Sequence, residues 1–208
     1  MRRFPEKFTE QYPKESGILK KLGSPAKIQD FLDAMPINFE RGGDTARSLR
    51  SALAHGEAHC IEGALIAAAA LWYHGARPLL MDLQTTDADD DHVVALFKEG
   101  GRWGAISKTN HAVLRYRDPI YASVRELAMS YFHEYFLDDG RKTLRSYSAP
   151  FDLLRWNEEW LAARGDLWEL CDALDGSTHF AIFPKGSPRR LRRAAPIERK
   201  AGTIVEQK

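Results

Sequence analysis

His55-Gly56-Glu57-Ala58-His59-Cys60-Ile61-Glu62-Gly63-Ala64-Leu65-Ile66-Ala67-Ala68-Ala69-Ala70-Leu71-Trp72-Tyr73-His74 is the stretch whose reading decides the fold. Ile61–His74 reads as a helix with almost no polar face, and a helix apolar nearly all round is buried. Its four consecutive alanines allow close approach to a sheet, and Gly75 ends it. Cys60 stands at its start, after a polar loop. There the unpaired backbone N–H groups and the positive end of the helix dipole favour a thiolate. The same N–H groups can hold a developing oxyanion. The competing reading is a small core cysteine.

Downstream the period changes. Pro78–Leu83, His92–Phe97 and Trp103–Ser107 are short apolar runs that predict strands, the second covered on both faces. Glu99-Gly100-Gly101 predicts a hairpin turn, which brings His92 towards Ser107, Lys108 or Thr109, with Asn110 just beyond. An imidazole opening a buried strand needs a partner. Cys60 as nucleophile, His92 as base and Ser107 or Asn110 as orienter would form a triad-like site. His59 and Glu57 are expected to line its cleft.

Upstream, Ala26–Met35 has helical spacing, and Asp44 is placed as N-cap of a short helix through Leu53. Asp118-Pro119 reads as the start of a long amphipathic helix stopped by Gly140. Further helices are expected at Pro150–Ala163 and Asp166–Leu174, and a strand at Thr178–Phe183. This order is α+β rather than alternating βαβ. The expected organisation is an N-terminal arm (1–25), one domain (26–184) and a basic tail (185–208).

Four segments, in order, resemble the transglutaminase-like, papain-related superfamily. They are Cys60-Ile61-Glu62-Gly63-Ala64-Leu65, His74-Gly75-Ala76-Arg77-Pro78, Asp91-His92-Val93-Val94-Ala95-Leu96-Phe97 and Gly101-Arg102-Trp103-Gly104-Ala105-Ile106-Ser107. The resemblance covers roughly residues 50–115. It implies a papain/transglutaminase-like core in which the cysteine helix packs on an antiparallel sheet. It also implies cysteine-dependent hydrolysis or acyl transfer at an amide or isopeptide bond of a peptide, protein or small amide, with no cofactor. One departure is that the family's aspartate position, four residues after the tryptophan, holds Ser107. An inactive scaffold used for binding is therefore the alternative.

Composition bounds the rest. The 208 residues carry 30 basic and 29 acidic side chains, a net charge of +1 that argues against a polyanion-binding surface. The basic run Lys185–Lys200 lacks interleaved aromatics for base stacking, so nucleic acid is not expected. No run approaches the roughly 20 apolar residues of a membrane span, and no apolar stretch follows the basic start. A cytoplasmic protein with two reduced cysteines is expected. His55 and His59 lack the glutamate spacing of a zinc helix, and Asp87–Asp91 reads as a solvated turn rather than a calcium loop.

Overall fold

The Gly100-Gly101 turn closes the hairpin on which the architecture is built. Both residues take left-handed conformations, φ 55° and 78°, that favour glycine and match the twist of the flanking strands. The computed structural model describes residues 2–184 and 186–207; Lys185 lies outside them, as does the side chain of Arg189. The chain is α+β. Its helices are α1 (Glu6–Gln11), α2 (Pro13–Lys21), α3 (Pro25–Ala34), α4 (Leu49–His55), α5 (Cys60–Tyr73), α6 (Val124–Tyr131), α7 (Trp168–Asp175) and α8 (Pro196–Gly202). Its strands are β1 (Leu79–Gln84), β2 (His92–Glu99), β3 (Arg102–Ser107), β4 (Arg117–Tyr121), β5 (Ser146–Ser148), β6 (Phe151–Asp152) and β7 (His179–Ala181).

All strand pairs are antiparallel, in the order β4-β3-β2-β1-β5-β7, with β6 also on β1. Helix α5 packs on the face that carries Leu80, Val93, Ala95, Phe97 and Ile106. Met81, Leu83, Val94, Leu96 and Ala105 point the other way, against Leu127, Ala128 and Tyr131 of α6. Strand β2 is thus covered on both faces, as its unbroken apolar run requires. Every residue of α5 from Ile61 to Trp72 is buried.

The N-terminal arm, from Arg2 on, lies against the domain: Phe8, Leu19 and Leu22 of α1, α2 and the following turn enter the core, and the Trp72 indole N–H donates to the Arg2 carbonyl at 2.8 Å. Several expectations need correction. Helix α4 is capped by Ser48 rather than Asp44, its hydroxyl accepting from Ser51 N–H at 3.3 Å. Asp118-Pro119 opens no helix. It lies in β4, where an edge strand tolerates proline. Helix α6 begins after Ser123, whose hydroxyl accepts from Glu126 N–H at 3.1 Å while Glu126 accepts from Ala122 N–H at 2.7 Å. That reciprocal cap is written in the sequence as Ser-x-x-Glu and outcompetes the earlier Asp-Pro signal. The helix stops well before Gly140, ending in a 3-10 turn at Phe132–Glu134.

Pro150–Ala163 forms β6 and two 3-10 turns, Leu153–Arg155 and Glu158–Leu161. The Asp152 and Asn157 side chains accept from Leu154 N–H and Glu159 N–H, and these local bonds break the segment into pieces. Of the expected basic tail, the described part folds back: Ser187–Arg190 is a 3-10 turn, and α8 lies near Asp138 and Asp139, which receive Arg199 and Arg193. No described helix is long and apolar enough to cross a membrane.

Candidate active site

The loop before α5 is organised by one buried carboxylate. Glu62, fully buried in the first turn of α5, accepts from His59 N–H (3.1 Å), Asn38 Nδ2 (3.1 Å), Thr45 Oγ1 (3.0 Å) and Arg47 N–H (3.2 Å). A buried charge is tolerable only with such partners, and the helix N-terminus adds a favourable field. The result is a rigid approach to Cys60. The helical ladder starts with Gly63 N–H on the His59 carbonyl, 2.9 Å, which leaves the preceding amides of the turn outside the ladder.

The partly buried Cys60 thiol shares its surroundings with two imidazoles. His59 Nδ1 stands 4.0 Å from Cys60 Sγ, and His92 from the start of β2 lines the same cleft. Burial alone would raise the thiol's pKa. The hydrogen bonds and charges of His59 and His92 overcome it and bring the pKa down to about 5. Burial likewise opposes protonation of His59. The Cys60 thiolate, Glu62 and Glu40 outweigh it and lift the imidazole to about 9. The ring's other nitrogen donates to the Thr45 carbonyl at 2.9 Å. The two shifts run in opposite directions and favour a Cys60 thiolate beside a His59 imidazolium. The second cysteine differs: burial pushes Cys171 up to about 11, and no imidazole contributes to its shift.

His92 is oriented by Ser107. The Ser107 hydroxyl donates its single proton to the Leu114 carbonyl at 2.5 Å, so it accepts from His92 Nε2–H at 2.7 Å. This assigns the proton to Nε2 and leaves the Nδ1 lone pair as the basic position. Ser107 is held in turn by Gln29, whose side-chain amide accepts from Ser107 N–H at 3.0 Å and donates to its carbonyl at 2.8 Å. Next to it the buried Lys108 ammonium donates to the Leu32 carbonyl at 2.6 Å and to that of Met35, closing the end of α3.

No protein-family profile and no curated protein sequence matches the chain.

Of the residues singled out from sequence, Cys60, His92, Ser107 and His59 converge. Asn110 and Glu57 do not join them. The Asn110 carboxamide is engaged by the backbone of Gln207, and Glu57 pairs with Arg47 at 3.0 Å. His59 does more than line the cleft. Its role was hidden because sequence spacing does not show which way the N-cap side chain turns. The acidic run is tied down locally and from a remote segment: Asp91 accepts from Thr85 N–H at 2.6 Å and Asp89 from Thr143 Oγ1 at 2.5 Å. No cluster of three metal-ligating side chains occurs among the described residues.

The cleft above the sulfur holds about 460 Å³. Ile37, Phe39, Asp89–Asp91, Asn110 and Tyr135 line it, together with Arg199, Gly202 and Thr203 from α8 and its exit. A thiolate, an oriented imidazole, helix-end amides and a bounded cleft can together carry acyl transfer.

Proposed function

We propose that this protein is a cysteine-dependent enzyme of amide or isopeptide chemistry, built on a transglutaminase-like core. Cys60 attacks the carbonyl carbon, and the oxygen takes up negative charge against the first-turn amides of α5. His59 keeps the attacking sulfur ionised. The thiol's proton, held on His59 as imidazolium, passes to the departing amine, and His92 takes one from water or an acceptor amine as the acyl-enzyme is released and the thiolate–imidazolium state is restored. The observation that carries this reading is a convergence: Cys60 at the head of α5 stands 4.0 Å from His59 Nδ1 and shares its cleft with His92, whose ring Ser107 orients.

Iodoacetamide labelling at neutral pH, read by peptide mass, tests it. Cys60 should react roughly tenfold or more faster than Cys171, because the thiolate is the reacting species. A stoichiometric burst of nitrophenol from p-nitrophenyl acetate should appear and vanish in Cys60→Ala. Equal, slow labelling of both cysteines with no burst overturns the proposal.

A second reading, a binding scaffold with this core and no turnover, is favoured by one observation: His92 leans on a hydroxyl rather than a carboxylate. It predicts fast labelling of Cys60 with a burst that never turns over on any amide.

A further inference from the structure

The segment after α8 runs antiparallel to Asn110–Ala112 along the rim of the cleft, with His111 and Val205 as the paired residues. Ala112 N–H donates to the Ile204 carbonyl and Glu206 N–H to the Asn110 carbonyl, both at 2.9 Å. The Asn110 side chain then adds a rung that no backbone supplies. Its Oδ1 accepts from Gln207 N–H and its Nδ2 donates to the Gln207 carbonyl, each at 2.9 Å. A carboxamide that reads both backbone groups of one residue recognises extended peptide as such.

Two contacts read side chains. Arg115 meets the Glu206 carboxylate at 2.7 Å, and Ile37 N–H donates to Gln207 Oε1 at 3.0 Å. Apolar burial contributes little, since Ile204 is 57% exposed. A segment held by directional polar contacts at an open rim, with few apolar ones, is easily exchanged. Ile37, Asn110 and Thr203 border the same cleft as Cys60 and His92.

We infer that the Asn110–Ala112 edge, with Arg115 and Ile37, is a peptide-binding strip that takes an extended segment carrying glutamate followed by glutamine. Residues 203–207 occupy it in the resting protein as a displaceable self-ligand. That the strip presents substrate to Cys60 rests on the proposed enzymatic reading; the binding itself does not.

The test uses the full chain. Glu206→Pro deletes the N–H that bonds Asn110 and unseats the segment without altering the strip. A fluorescein-labelled, amidated peptide Thr-Ile-Val-Glu-Gln, followed by anisotropy, should bind this variant roughly tenfold or more tighter than the unsubstituted protein, whose strip is occupied. Adding Asn110→Ala should abolish the gain, and replacing the peptide's glutamate by alanine should weaken it. Glu206→Ala, which keeps the backbone bond and loses the Arg115 contact, gives a smaller gain and serves if the proline variant does not fold. Equal peptide binding to all proteins, or tight binding that survives Asn110→Ala, overturns the inference. Iodoacetamide labelling separates the two proposals. If peptide binding follows the pattern but Cys60 labels no faster than Cys171, the strip stands and the nucleophile falls; fast labelling without peptide binding reverses that.

Discussion

Gly63 and Lys108 touch where α5 meets the end of β3: a Cβ on the glycine would overlap the Cβ of the lysine side chain. Gly63 lies three residues beyond Cys60, and Lys108 follows Ser107, so this contact sets the distance between the helix that carries the thiol and the strand that steers His92. Gly63→Ala should push the two apart. Overpacking of this kind costs about 1–3 kcal/mol. Urea unfolding should show that loss, and Cys60 labelling should slow with it; unchanged stability would mean that the helix and strand are not in contact there.

Ser107 makes a second prediction. Ser107→Ala removes the acceptor of His92 Nε2–H and strands that N–H in a buried site, at a cost of about 1–3 kcal/mol. Ser107→Asp, although it supplies the charge that the resemblance leads one to expect, should do no better. The Leu114 carbonyl now accepting from the serine hydroxyl would face a carboxylate that has no proton to give. Both variants should label more slowly at Cys60 than the unsubstituted protein. A faster Ser107→Asp would show that Leu114 moves aside.

The ion pair gives a pH signature. The Cys60 thiol falls from 9.0 to about 5 on folding, so its contribution to stability is present above 9 and is lost as pH falls through about 5. The His59 imidazole rises from 6.5 to about 9, so its contribution is present below 6.5 and is lost as pH rises through about 9. Labelling of Cys60 should therefore decline only below about pH 5. In His59→Ala, which loses the leading stabilising partner, the decline should move to higher pH. An unshifted profile in that variant would leave His92 as the sole source of the activation.

Away from the cleft, Asp82 offers an independent check. Its carboxylate is buried and bonded to His179 Nε2 at 3.0 Å, while Oδ1 has no partner among the described residues. Burial raises its pKa from 3.8 to about 6 despite the His179 hydrogen bond. A raised carboxyl contributes stability below 3.8 that is lost as pH rises through about 6. Denaturation across that window should show this fall, and Asp82→Asn should flatten it. Identical slopes in the two proteins would mean that Asp82 is solvated.

Much of this was legible in the residues themselves. The uniform apolarity of Ile61–Trp72 admits no exposed face, and the glycine pair at 100–101 admits few turns, so a buried helix and a hairpin followed from local chemistry. The pairing of Val94 with Ser107 then brings the serine within reach of His92, because a tight hairpin leaves almost no freedom of register. Asp118-Pro119 misled because a cap-like dipeptide serves an edge strand equally well. What tertiary structure alone decided is which polar groups find one another. His59 turns onto the thiol because Glu62 and Thr45 hold its loop, and Asn110 turns away from His92 because a segment almost one hundred residues later offers its backbone. Periodicity records which faces of an element are buried. The partner of a side chain at the end of an element depends on contacts remote in sequence, and no local pattern encodes those.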